Sequence, residues 1–243
     1  MIARGPSLTE QVRQHIKALI TDGRFDDGRI PSETELASDL GVSRTTVRDA
    51  LSRLEHEGVV VRRQGAGTFV NSAGLRIKTR LEEMWSYEQM LRDHGFTPKV
   101  EVVGITTEPA NRHVAGALEI EPNDAVVVME KVFYEDKTPV VLTYNHVPAA
   151  LLAEPVTEAD AAAPVFDFLE NAAGLQLAYY VSEIVPVALD QHDASVLDVT
   201  TGTPAISFEE TGFTTEGRPL VRARSMFRDD LVRLGVLRRR AGG

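Results

Sequence analysis

The run "SETELASDLGVSRTTVRDALSRLEHEG", residues 32 to 58, constrains the fold more than any other part of the chain. Ser32 with Glu35 is a capping-box pair, Leu36, Ala37 and Leu40 repeat at helical spacing, and Gly41 suits a helix C-cap. After only Gly41 and Val42, Ser43 caps a second stripe, Val47, Ala50, Leu51 and Leu54, which ends at Gly58. Two amphipathic helices separated by so short a turn cannot run on as one rod. They must cross and bury their stripes against a common partner. The partner lies upstream: Ser7 and Glu10 form another capping pair, and Leu8, Val12, Ile16, Leu19 and Ile20 follow at helical spacing until Gly23. Downstream, "VVVRRQGAGTFV" from Val59 predicts a β-hairpin with its turn at residues 64 to 67. Three helices and a hairpin form a winged helix-turn-helix.

With Val47, Ala50, Leu51 and Leu54 turned inward, Arg44 and Arg48 lie one turn apart on the outer face of the third helix, beside Thr45. That end of a recognition helix enters the DNA major groove. The arginine fork matches the O6 and N7 acceptors of guanine, and threonine bonds a phosphate or touches a thymine methyl. In the hairpin, Arg62, Arg63 and Gln64 beside the small Gly65, Ala66 and Gly67 let the tip lie along the backbone or in the minor groove. Charge agrees. The chain carries −10 overall, yet residues 1–80 hold 13 Lys+Arg against 10 Asp+Glu (+3), and residues 81–243 hold 13 against 26 (−13). A mildly basic head on an acidic body confines phosphate contact to the head.

"PSETELASDLGVSRTTVRDALSRLEHEGVVVRRQGAGTFV" resembles the DNA-binding domain of the GntR family of bacterial transcription regulators. The resemblance implies that Ser43, Arg44, Thr45, Thr46, Arg48, Gln64 and Gly65 contact DNA. Thr34 departs from the family's usual arginine there, which weakens one contact.

"NSAGLRIKTR", residues 71–80, has little periodicity and reads as a linker. The expected organisation is residues 1–72 as a winged helix-turn-helix domain, 73–80 as a linker and 81–243 as an effector-binding and dimerisation domain. Within the body, "FYEDKTPVVL" from Phe133 and "FTTEGRPLVR" from Phe213 share Phe, an acidic residue, Pro and Val at a spacing of 80, and "LEI" at 118 matches "LDV" at 197. A duplicated unit of strand, helix and hairpin follows. It predicts six strands: leading strands near 100–107 and 178–187 and hairpins over 124–147 and 204–228. Helices are expected near 81–94, 110–118, 164–173 and 190–197. The fold class is α+β, with a mainly antiparallel six-stranded sheet and packed helices.

"SYEQMLRDHG", "TPVVLTYNHVP" and "RPLVRARSMFRDDL" make this body similar to the UTRA domain of the HutC subfamily, which implies a chorismate-lyase-like fold whose cleft binds a small effector. Relatives that sense amino-sugar phosphates hold the phosphate with two hydroxyls and an Arg-x-Arg pair. Ser86 occupies the first hydroxyl position here, but Glu88 occupies the second, and Lys131 and Phe133 stand at the arginine positions. Each lost charge-assisted bond is worth about 1.5–3 kcal/mol. A sugar phosphate is disfavoured, and a small acid with an apolar part is the better candidate. Lys131 suits a carboxylate and Glu88 an amine or hydroxyl; Thr143 and Phe227 fall where sugar contacts are made.

The absence of cysteine excludes disulfides and thiolate metal sites, and six histidines without close pairs point to no metal site or cofactor. No apolar run reaches the roughly 20 residues that span a bilayer, so a soluble, cytoplasmic protein is expected. The expected partners are a double-stranded inverted-repeat operator, a small effector and a second copy of the chain as a homodimer. A chorismate-lyase-like enzyme with an added DNA-binding head is the rival reading; its dianionic aromatic substrate requires a basic pocket, which Glu88 and Phe133 supply poorly.

Overall fold

The computed structural model describes residues 7–76, Leu81 and residues 84–228. These fall into two units, one ending with residue 76 and the other beginning at Leu81. The rest of the expected linker, 77–80, and the C-terminal stretch 229–243 lie outside the described residues.

In the first unit the caps form as their sequence predicts. Ser7 accepts from the Glu10 amide at 3.2 Å and opens α1 (Leu8–Thr21). Both halves of the Ser32–Glu35 box are made at the start of α2 (Glu33–Leu40), and Gly41 closes it at φ 64°, a left-handed conformation that favours glycine. Ser43 accepts from the Thr46 amide at 3.1 Å and opens α3 (Arg44–His56). Ile16, Val47, Ala50, Leu51 and Leu54 are fully buried together. Each large apolar side chain removed from water in this way contributes about 1.5–3 kcal/mol before entropy is counted. The hairpin is β2 (Val60–Arg63) with β3 (Gly67–Val70), paired from Val60↔Val70 to Arg63↔Gly67. A third strand, β1 (Arg29–Ile30), pairs with the other side of β3. Two residues are too short for an alternation signal, so this strand was not expected.

The second unit is a six-stranded antiparallel sheet: β4 (Pro98–Pro109), β5 (Ala125–Glu135), β6 (Thr138–Pro148), β7 (Tyr179–Ala188), β8 (Pro204–Phe213) and β9 (Pro219–Phe227) in the spatial order β4-β5-β6-β9-β8-β7. The order is a palindrome. Each half is a strand, a short helix and a hairpin, and the halves meet where β6 pairs with β9. The helices of the repeat, α5 (Arg112–Leu118) and α8 (Gln191–Val196), are capped by Asn111 and Asp190. Both are followed by a non-glycine residue at positive φ, Glu119 at 53° and Asp198 at 52°. These pairs stand 79 residues apart, one fewer than the spacing of 80 shown by the hairpin ends.

Helices α5 and α8 cover one face of the sheet through Val114, Leu118, Ala194 and Leu197. A polar seam runs along that face: Tyr144 donates to Asp193 at 2.7 Å, and Arg222 and Arg224 both reach Glu209. The other face carries α4 (Tyr87–Asp93), α6 (Glu158–Ala162) and α7 (Val165–Ala173). Helix α6, five residues long and rich in alanine, left no apolar stripe to read. The first helix of the body was expected from residue 81 but starts at Tyr87, because Ser86 is extended and caps it by accepting from the Gln89 amide at 3.2 Å.

Candidate functional sites

The outer end of α3 is built as the sequence requires. Burial of Val47, Ala50 and Leu51 turns Arg44, Thr45 and Arg48 to the surface, where all three are exposed. Ser43 and Thr46 spend part of their capacity on structure: beyond its bond to the Thr46 amide, the Ser43 hydroxyl lies 2.8 Å from that of Thr46. Arg48 approaches Asp49 only to 4.0 Å, with both side chains more than half exposed, an ion pair of little energy that leaves the guanidinium available.

The two wing arginines differ. Arg62 turns back onto the helices: it donates to the Ser52 hydroxyl at 3.1 Å and lies 3.4 Å from Glu55 and 3.7 Å from Glu33. Arg63 stacks over the Phe69 ring at 4.5 Å, on the strand that ends at the exposed turn Gln64-Gly65-Ala66. Gly65 sits at φ 74°, which the tight turn requires. Among these residues, Arg62 is the one the fold commits to internal bonds.

In the second unit a cavity of about 290 Å³ lies over the middle of the sheet, between the start of α4 and the start of α7. Five of the six expected effector residues line it: Ser86 and Glu88 from α4, Lys131 and Phe133 from β5, and Thr143 from β6. Phe227 does not. It is buried behind the lining, with its ring 5.1 Å from Phe208 and 5.6 Å from Tyr87. Alternation explains the grouping, since Lys131, Thr143, Ser225 and Phe208 are successive cross-strand partners on one face.

Lys131 is only 3% exposed, and its ammonium donates to the Ala163 carbonyl at 2.8 Å. Burial pushes its pKa down to about 8, while the nearby Glu88 carboxylate pulls it back up. An ammonium has three donors, so two remain for a ligand. The cavity also holds groups that sequence reasoning missed: Asn145 and Ser225 from the central strands, Tyr180 and Ser182 from β7, and Glu210 from β8. Glu210 accepts from the Ser182 hydroxyl at 2.5 Å, and burial raises its pKa against the opposing pull of Ser182 and Arg222. Tyr87 and Tyr180 have phenols pushed up by burial and by Glu210. Trp85 also lines the cavity, with its ring 5.6 Å from that of Tyr87. The repeat narrows the choice without settling it: the 79-residue spacing of the two helices pairs Lys131 with Glu210, and the 80-residue spacing of the hairpin ends pairs it with Thr211.

The described residues thus present a small, half-polar cavity in the second unit and an exposed arginine face in the first. Residues 8–70 match "Bacterial regulatory proteins, gntR family", and residues 93–233 match "UTRA domain". The chain is 31% identical to the "Histidine utilization repressor" of Pseudomonas putida, over 79% of this chain and 72% of that protein. It is 26% identical to the "HTH-type transcriptional repressor NagR" of Bacillus subtilis (strain 168), over 90% of each. The solved structure of the possible transcriptional regulator YydK of the same species, 17% identical, shares the fold with a TM-score of 0.75 over 95% of this chain and 99% of that one. These relatives are regulators, and the enzyme alternative finds no support among them. The winged head and the six-stranded body are thus the two parts of one known design, and the chain belongs to the gntR family of bacterial regulatory proteins as a DNA-binding transcription regulator with a UTRA domain.

Proposed function

We propose that the protein is a cytoplasmic repressor that binds an inverted-repeat operator as a homodimer and changes its DNA affinity when a small molecule fills the cavity of the second unit. The observation that carries this reading is Lys131: a lysine held 3% exposed over the sheet, in a cavity lined by aromatic rings, is costly unless an anion visits it. Ser43, Arg44, Thr45, Thr46, Arg48, Arg63, Gln64 and Gly65 are the DNA contacts in this proposal, with Arg62 bracing the wing. Ser86, Glu88, Lys131, Phe133 and Thr143 meet the effector, and Phe227 shapes the cavity from behind. The names of two relatives as repressors support the direction of control. Dimerisation follows from affinity: two heads reading symmetric half-sites gain the specificity that one winged domain lacks.

The test is native mass spectrometry of the purified full-length protein, followed by operator titration. A dimer that carries or takes up a small acid, and that loses operator affinity about 5- to 150-fold on doing so, is the expected result. A monomer at micromolar concentration, or operator affinity indifferent to every cavity ligand, overturns it.

A further inference from the structure

The two halves of the sheet place opposite charges at equivalent positions. Lys131 on β5 faces Thr143 across the first hairpin, and Glu210 on β8 faces Ala223 across the second. The two residues are 79 apart, the same interval that separates the caps Asn111 and Asp190. Both line the cavity, one on each side of the β6–β9 seam. Three strand steps and two residues separate them, about 16 Å between Cα atoms at ordinary sheet spacing. They are not a direct ion pair. The ammonium of Lys131 is bonded to the Ala163 carbonyl and feels Glu88, and the carboxylate of Glu210 is bonded to Ser182.

We infer that the effector is a bifunctional molecule lying across the seam, with a carboxylate at Lys131 and a nitrogen donor, cationic or neutral, at Glu210. This deepens the proposed function and rests on its cavity. The lining between the two poles is apolar on one side, with Phe133 and Phe208, and carries single donors and acceptors on the other, with Thr143, Asn145 and Ser225. Such a floor suits a short apolar or aromatic spacer. A polyhydroxylated ring would leave most of its hydroxyls without partners against those rings. A monofunctional acid would leave Glu210 desolvated opposite an apolar end. A phosphate dianion would meet one lysine and two carboxylates, Glu88 and Glu210. Burial raises the Glu210 pKa, and a cationic nitrogen placed beside it would favour the charged carboxylate.

The experiment is calorimetric titration of the full-length protein with three probes: para-aminomethylbenzoate, para-toluate, which lacks the amine, and benzylamine, which lacks the acid. The aminomethyl acid should bind at least tenfold more tightly than either half. Glu210→Gln should erase its advantage over para-toluate, and Lys131→Met should erase its advantage over benzylamine. Because the wild-type comparison needs no variant, a misfolded variant cannot hide the answer. Equal binding of the aminomethyl acid and para-toluate overturns the inference, as does an advantage that survives Glu210→Gln or the absence of binding by all three at millimolar concentration. Operator titration with the same probes separates the two ideas. If para-toluate alone binds and releases operator, the proposed function stands and the bifunctional assignment falls; if the aminomethyl acid binds through both poles without altering operator affinity, the assignment stands and the coupling falls.

Discussion

The Arg62 guanidinium lies 3.4 Å from the Glu55 carboxylate, so an arginine of the wing is bound to the recognition helix behind it. With the bond to Ser52 and the approach to Glu33, this makes Arg62 a brace between β2, α3 and α2. Its neighbour Arg63 lies instead over the face of Phe69.

The first prediction separates these two arginines. Arg62→Ala should lower stability by about 0.5–1 kcal/mol, the range of a partly exposed ion pair. Its effect on the salt dependence of operator binding should be small. Arg63→Ala should lower stability by no more than the roughly 0.5–1 kcal/mol of its stacking on Phe69, and should reduce the salt slope by about one, the loss of a single phosphate contact. Urea melts and binding at several salt concentrations check both; equal slopes for the two variants would contradict the assignment.

Arg44 and Arg48 are exposed on α3, and the approach of Arg48 to Asp49 at 4.0 Å carries little energy. Alanine at either should weaken operator binding by about 1–3 kcal/mol while the melting temperature holds. Fluorescence anisotropy on a labelled operator, beside a thermal melt, measures the pair of quantities. Folded variants with full operator affinity would remove α3 from the interface.

Lys131 makes both stability and ligand binding depend on pH. Its folded pKa of about 8 lies below the ordinary 10.5. Between those values the unfolded chain holds a proton that the folded chain has lost, so this group makes stability rise with pH across that window, and its full penalty applies below about pH 8. The difference between wild type and Lys131→Met in pH-dependent melts isolates the effect, and a flat difference would refute it. An anionic probe such as para-toluate needs the charged lysine. Its affinity should fall above pH 8, approaching about tenfold per pH unit.

Gly212 on β8 has no room for a methyl group. A Cβ there would lie 2.6 Å from Leu177 Cδ1, 2.8 Å from Val221 Cγ1 and 2.9 Å from Tyr180 Cε1. Gly212→Ala should cost about 1–3 kcal/mol through overpacking. Because one displaced ring is Tyr180 of the cavity wall, probe affinity should fall with it. A stable variant with unchanged affinity would show that the wall yields without consequence.

Local chemistry determined the first unit. A serine hydroxyl three residues before an amide, an apolar stripe at helical spacing and a glycine where φ must be positive act over a few residues, and Ser7, Ser32, Ser43 and Gly41 do what their neighbours demand. The duplicated body was legible for the same reason, since each copy carries its own caps and turns. Register was not legible. The hairpin ends repeat at 80 residues while the caps of α5 and α8 repeat at 79, with irregularities at Phe133/Tyr134 and Gly212/Phe213. In a strand a shift of one residue sends a side chain to the opposite face. Only the assembled sheet decided that Glu210 shares the cavity with Lys131, that Phe227 lies behind it, and that Arg62 turns inward to Glu55. Those outcomes depend on contacts between residues far apart in sequence, and spacing along the chain carries no record of which distant charge a flexible arginine or glutamate will meet.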